Sequence, residues 1–318
     1  MPAVQRIDPK TIFTAEEWAP LAKRSALRGI GCIAHAWALI IGAGAVFVIW
    51  PNPLTYILAV MIIGTRQLGL GILMHDAAHG ALHPNQAWND WLGQWLCAGP
   101  VGSDLARYRP YHLQHHRFTE QPEDPDLGLS RPFPITAKSF WRKVVRDLTG
   151  QTFFKQRIMP SVQAFLSGRA MPKEQRELAD QTALRFWVTN GIIIFATTAL
   201  GLWWAWFALW IVPFATWQQL VTRLRNIAEH ACVGKHEDPF RHARTTLANP
   251  IERLFIAPYW VHYHSEHHVF MHVPCYRLER LHALLREKGF GARMDVAASY
   301  PAMLKVATSK PERAAQAA

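Results

Sequence analysis

Tyr259-Trp-Val-His-Tyr-His-Ser-Glu-His-His-Val-Phe-Met-His272 gathers five of the chain's sixteen histidines, at positions 262, 264, 267, 268 and 272. Imidazole suits neither a packed apolar core nor a solvated face, but it is a good borderline metal ligand. Within the stretch, His264-x-x-His267-His268 occupies positions i, i+3 and i+4 of one helical face, so three rings converge on one region. The rest of the chain supplies partners for them.

Working outward, three more groups carry the same chemistry. His75-Asp-Ala-Ala-His79 sets two rings at i and i+4, and His112-Leu-Gln-His115-His116 repeats the i, i+3, i+4 pattern. Asn226-Ile-Ala-Glu-His230 adds one more histidine with a polar neighbour a turn away. The sum is nine: His75, His79, His112, His115, His116, His230, His264, His267 and His268.

Hydropathy says where these groups lie. Residues 29–65 and 186–222 are each 37 residues without an Asp, Glu, Lys or Arg. A span needs about 20 apolar residues, so each run is long enough for a tight pair of membrane helices. Lys10, Lys23, Arg24 and Arg28 precede the first run and a basic segment separates the two, whereas the turns near Pro51-Asn-Pro53 and Gly201 carry no Lys or Arg. The positive-inside bias therefore sets both termini and the middle segment in the cytoplasm, with all four histidine groups at the cytoplasmic end of the bundle. The expected fold is all-α and integral to the membrane: four transmembrane helices in two hairpins, under a cytoplasmic helical cap that holds a two-metal site.

In domain terms, residues 1–28 are expected as a cytoplasmic amphipathic lead-in and 29–305 as one membrane domain. Its hairpins run about 29–74 and 186–222, its cap comprises 75–185 and 223–305, and 306–318 are expected as a disordered tail. Residues 87–103 are Trp-rich but too short to span, which suits an interfacial or re-entrant helix. His35 and Arg66 sit inside the first run; His35 reads equally as a packing or a functional residue, and Arg66 as snorkelling or as lining a cavity. The net charge of +11 reads first as a topology signal, and the basic residues follow no nucleic-acid-binding motif. The four cysteines, at 32, 97, 232 and 275, form no C-x-x-C, which argues against disulfide frameworks and zinc ribbons.

Nine histidines are too many for one zinc, which uses three or four protein ligands, and about right for two metals. A zinc hydrolase would also want H-E-x-x-H where this chain has H-D-A-A-H. A metal transporter predicts ligands near the bilayer midplane, not at the ends of the helices. The residues alone point to a dinuclear transition-metal site and do not specify iron.

At these positions the chain resembles the membrane fatty acid desaturase and hydroxylase superfamily, integral-membrane di-iron enzymes with three histidine boxes. His75–His79, His112–His116 and His264–His268 look like the three boxes, and Asp124-Pro-Asp126, Val273-Pro274 and Asn226-x-x-x-His230 are also similar to the family. The resemblance implies one iron held by His75, His79, His112, His116 and His267, and a second by His115, His230, His264 and His268, with Asn226 nearby through water. Asp76, Glu229, Glu266, Asp124 and Asp126 are expected around these ligands, with Asp76, Glu229 and Glu266 orienting imidazoles through their ring N–H groups. His262, which stands where many relatives have Asn, is expected to be supporting or structural, as are His83 and His272.

The implied activity is O2-dependent desaturation of a lipid acyl chain, with hydroxylation or ketolation of a carotenoid or sphingolipid as the alternative. The implied partners are a membrane lipid or acyl-carrier substrate and a separate donor, an acidic ferredoxin or a cytochrome b5, suited to the basic face. The expected location is a bacterial plasma membrane.

Overall fold

The computed structural model describes residues 3–166, 173–233 and 238–311. After a short helix α1 (Ala15–Ala22), the first apolar run forms α2 (Ala26–Ile49) and α3 (Pro53–Ala78). Ser25 starts α2 by accepting the Arg28 N–H at 3.3 Å. At the turn, the Asn52 side chain accepts from the Leu54 and Thr55 N–H groups at 3.0 and 3.1 Å, Thr55 reaches back to Asn52 N, and Pro53 opens α3. That reciprocal cap ends one helix and starts the next within three residues. Both helices are long and apolar enough to cross a membrane, by length and composition, and they are the two among the described residues that are.

The pair is not symmetric. α2 buries a single stripe, Gly29, Ile33, Ala36, Ile40 and Gly44, spaced so that one face packs while the rest stays outside. Its outward face carries Leu27, Ile41 and Ile49, each more than 60% exposed. α3 is buried continuously from Ile63 to Ala78 apart from Gly71, and packs against α2, the helix Trp217–His230 and the turn Gly93–Ala98. It is the central post of the fold.

Helix α4 (Gln86–Leu92) leads into a π-helical turn, Gly93–Ala98, whose Gly93, Gln94, Cys97 and Ala98 are buried against α3. Trp88 and Trp91 stay exposed on the other side. α5 (Leu105–Phe118) and the amphipathic α6 (Ala137–Leu148) follow. α7 (Lys173–Ala199) begins well before residue 186, so the apolar run marks part of a longer helix and not its start. The chain turns at Leu200–Leu202, where Gly201 takes φ +76°, near the expected tip. The return leg is broken: Trp206–Ile211 is π-helical, and Val212–Ala215 ends at Thr216 (φ −120°, ψ −85°), before α8 (Trp217–His230). Pro213 lacks an N–H for the ladder, which loosens the backbone there.

The remainder departs from the all-helical expectation. β1 (Arg244–Thr246) pairs in parallel with β2 (Asp295–Ala297), and the Arg244 guanidinium grips Asp295 Oδ2 at 2.8 and 3.1 Å across the pair. α9 (Pro250–Phe255), α10 (His264–Val269), α11 (Leu278–Glu287) and α12 (Tyr300–Ala307) complete the chain. The start of the expected disordered tail is structured instead: Ala307, the last residue of a helix, is buried, and Lys310 N donates to Ile135 O at 3.3 Å. Residues 312–318 lie outside the described residues. The N-terminal lead-in is also docked, with Phe13 and Trp18 against Phe270 at ring separations of 5.7 and 5.2 Å.

Candidate metal centre

The last turn of α3 carries His75 and its cap residue is His79, α5 carries His112, His115 and His116, α8 ends at His230, and α10 carries His264, His267 and His268. These ends meet. One ring nitrogen from each of His75, His79, His112, His116 and His267 lies within 4.8 Å of the others, and one from each of His115, His230, His264 and His268 forms a second such group. The groups adjoin, with the His116 and His268 rings stacked at 4.3 Å. His115 and His267 break from their helix-mates: each joins the group opposite to that of its i±1 neighbour and its i±3 partner.

The contacts do not make a hydrogen-bonded imidazole network. His116 Nε2 lies 3.0 Å from both His112 Nε2 and His267 Nε2, and His264 Nε2 lies 3.0 Å from His230 Nε2 and 3.1 Å from His268 Nε2. A neutral ring nitrogen offers one proton or one lone pair, so it cannot serve two such neighbours. Both ring nitrogens of His75 and of His79 are buried with no hydrogen-bond partner among the described residues. A cation shared by each group resolves both facts: with metal–nitrogen bonds of about 2.1 Å, ligands at right angles stand roughly 3.0 Å apart. The donor set fits two transition-metal ions.

Burial also sets the charge state. It pushes His112, His116, His230, His264, His267 and His268 well below the ordinary histidine range, and takes His79 to about 3 with His272 and Arg109 adding to the effect. Neutral imidazoles keep the lone pairs a metal needs.

The surrounding acids divide. Asp124 Oδ1 accepts from His115 Nδ1 at 2.8 Å, which turns the His115 Nε2 lone pair toward its group. Asp126 Oδ2 stands 3.9 Å from the same nitrogen, and Asp126 Oδ1 accepts the Tyr111 hydroxyl instead. Asp76 Oδ2 accepts the Cys275 N–H at 2.9 Å and its Oδ1 lies 3.8 Å from His75 Nδ1, so it ties down the loop after α10 more than it orients a ring. Glu266 faces away from the nine histidines and bonds Thr245 Oγ1 and His282 Nδ1. Glu229 bonds Arg225 at 2.6 Å and sets its other oxygen 3.4 Å from His264 Nε2, on the donor side of that ring. Burial raises Glu229 to about 7 against the pull of Arg225. Asn226 lines, with Glu229 and His230, a cavity of about 50 Å³ beside the four-histidine group.

Some neighbours went unread in the sequence. Arg109 donates to the Ala77 and Ala78 carbonyls at 3.0 Å, capping the end of α3 that carries His75 and His79. Tyr108 stacks on His112 at 5.0 Å, and Arg225 pairs with Glu229; both are i, i+4 relations that helical spacing could have flagged. Of the histidines outside the nine, His272 Nδ1 lies 3.2 Å from the His79 carbonyl, His83 accepts the Asn85 N–H at 3.0 Å, and His262 is buried with its Nδ1 unpartnered.

A helical bundle with membrane-length helices, and an all-imidazole donor set in two adjoining groups at its end, defines a class of metal-dependent membrane protein. The chain belongs to the fatty acid desaturase family, matching it over residues 51–296, and is an oxidoreductase of that family. It is 28% identical over 257 residues to dihydrorhizobitoxine desaturase of Bradyrhizobium elkanii (77% of this chain, 71% of that protein). It is 27% identical to beta-carotene ketolase of Paracoccus sp. over 237 residues (72% and 80%). To sn-1 acyl-lipid omega-3 desaturase (ferredoxin) of Synechocystis sp. it is 25% identical over 242 residues (69% and 64%).

Proposed function

We propose that this oxidoreductase is a membrane-bound, O2-dependent di-iron enzyme that introduces a double bond into a lipid acyl chain. The observation that carries the reading is the convergence of nine histidines into adjoining groups of five and four. In this reading His75, His79, His112, His116 and His267 hold one iron, His115, His230, His264 and His268 hold the other, and Asn226 stands by the second. Bound there, iron supplies the redox chemistry with O2 that unactivated C–H bonds require.

The protein's own part is positioning and exclusion. Asp124 keeps the proton on His115 Nδ1, Arg109 fixes the end of α3, and burial keeps the rings neutral. The cavities flanking the groups are about 30 and 50 Å³, room for very little water. Residues 4–7 line the smaller one, so the docked N-terminal segment closes that side.

The membrane arrangement goes with this function: α2 and α3 cross as one hairpin, and the apolar part of α7 with the broken return leg forms the second. The charge bias supports both termini and the histidine groups facing the cytoplasm, in this proposal that of a bacterium, where a ferredoxin or cytochrome b5-type donor delivers electrons to the basic face. The ferredoxin named for the Synechocystis relative supports the first of these donors. Similarity to a beta-carotene ketolase across 80% of its length favours one second reading, oxidation of a carotenoid ring.

The test is metal analysis of purified protein with Mössbauer spectroscopy, followed by lipid and carotenoid product analysis in cells supplied with ferredoxin. About two coupled irons and new acyl double bonds support the proposal. Keto-carotenoids without new double bonds support the second reading, and a single zinc sinks both.

A further inference from the structure

A cavity of about 690 Å³ opens on the outer side of α2 and α3, away from the histidine groups. Three arginines line it: Arg28 at the start of α2, Arg66 within α3 and Arg253 in α9. Each lies against an aromatic ring, Arg28 5.5 Å from Tyr276, Arg66 5.6 Å from Tyr259, and Arg253 5.3 Å from Trp260. Among the described residues none of the three pairs with a carboxylate, and no Asp or Glu lines the cavity.

Arg66 is the informative one. It is 3% exposed, donates through Nη2 to the Arg253 and Leu254 carbonyls at 3.0 and 2.9 Å, and keeps a buried Nε–H with no acceptor. A buried cation without a counter-charge is costly, and among the described residues no carboxylate neutralises this one. His35 extends the polar floor, with Nδ1 3.0 Å from the Tyr259 hydroxyl.

The wall along α2 is a single helical stripe, Arg28, Cys32, His35 and Leu39, running from the charged end of the helix into its apolar stretch. Eleven residues at 1.5 Å each make it roughly 16 Å long. Arg66, against Tyr259, sits level with His35, so the cationic lining runs from the Arg28 end to about one turn short of Leu39, where the wall becomes apolar. Guanidinium forks match phosphate oxygens, and a lining with three arginines and no carboxylate suits a phosphate better than a neutral headgroup.

We infer that this cavity binds the phosphate headgroup of an anionic phospholipid from the surrounding leaflet, with an acyl tail along the Leu39 side of α2. The site is distinct from the metal centre, since none of the nine histidines lines it. It rests on the reading that α2 and α3 cross a membrane and not on the di-iron reading.

The experiment is native mass spectrometry of the detergent-purified full chain with phosphatidylglycerol or phosphatidylcholine of identical tails, and with inorganic phosphate as competitor. The wild type retains phosphatidylglycerol preferentially. Each arginine neutralised in R28Q and R253Q lowers that retention about fivefold, and the double variant about 25-fold. These two substitutions leave the Arg66 bonds to the α9 carbonyls in place, so the fold survives where R66Q could lose it. Equal retention of both lipids by wild type, undiminished retention in the double variant, or displacement of the lipid by inorganic phosphate at equal concentration would each overturn the inference. Metal content of the same samples reports separately on the histidine site, and a chain that stays monodisperse without detergent would instead remove the spans.

Discussion

Removing the Asp124 carboxylate tests the metal centre without touching a ligand. Asp124 Oδ1 accepts from His115 Nδ1 and from Asp126 N, both at 2.8 Å, while Oδ2 accepts from Glu120 N at 2.9 Å. With its proton held on Nδ1, His115 presents a bare Nε2, 3.3 Å from His268 Nε2, to the four-histidine group. A hydrogen bond to a buried charge is worth about 1.5–3 kcal/mol, and each 1.4 kcal/mol or so is tenfold in affinity. Asp124→Ala should therefore weaken one of the two metals by roughly 10- to 100-fold, the range found for outer partners of metal-bound histidines. Chelator titration of the iron-loaded protein, read by elemental analysis, should show one equivalent leaving early and the other unchanged. Asp124→Asn separates ring orientation from loop stability: its oxygen can still serve His115, but its amide meets the Glu120 N–H, so affinity holds while the unfolding temperature falls. Asp126→Asn is the control, because Asp126 Oδ2 is 3.9 Å from His115 Nδ1 and makes no bond there. If Asp124→Ala keeps both metals against chelator as well as wild type, or Asp126→Asn loses one equally, the orienting argument is wrong.

Three further outcomes follow from the packing and the histidine groups. Gly29→Ala would put a methyl 1.9 Å from the Leu82 carbonyl oxygen, whereas Gly31→Ala meets nothing within 4 Å. The first should destabilise by about 3 kcal/mol or more and the second be near neutral, as read by thermal unfolding in one detergent. Stripping metal should lower the unfolding temperature reversibly, because ligands that bind the folded state alone stabilise it; no shift on chelation would count against a metal in either group. The metal-free protein should also lose stability on acidification: His79 and His262 are each held near 3 by burial against 6.5 in the unfolded chain, so the unfolded state binds more protons between those values. Stability from these two groups is present above about 6.5 and is lost as pH falls toward 3, and an unfolding temperature flat over that window would refute it.

The histidine groups and the first hairpin were legible because each rests on local spacing. Pro51-Asn-Pro53 needs no partner to be read as a turn between helices, and H-x-x-H-H declares its face wherever it sits. The start of α7 was not legible from hydropathy: a run without charges shows where a helix can enter lipid, whereas helical backbone extends through Lys173–Arg185 regardless. The β1–β2 pair is three residues long, too short for any periodicity, and depends on Arg244 meeting Asp295 across 51 positions. Glu266 misled for a related reason. Its place between His264 and His267 suggests service to them, but His282 and Thr245 arrive from distant segments and take both its oxygens.

The two H-x-x-H-H helices carry a further message in how they divide. Successive residues on a helix turn by about 100°, so i+4 lies about 40° from i, and i+3 about 60° to the other side. In α5 the i, i+4 pair His112 and His116 joins the five-histidine group, and the i+3 residue His115 joins the four. In α10 the assignment is exchanged: His264 and His268 join the four, and His267 joins the five. Each helix thus gives two rings to one group and one ring to the other, and the two helices do so in opposite senses. The spacing between the groups is then set by two helices that meet through their rings, at 3.0 Å from His267 to His116 and 3.3 Å from His115 to His268. A loop could not hold two metal sites at a fixed separation so directly. That is the physical reason for writing the histidines as H-x-x-H-H twice, while H-x-x-x-H suffices for His75 and His79, which serve one group alone.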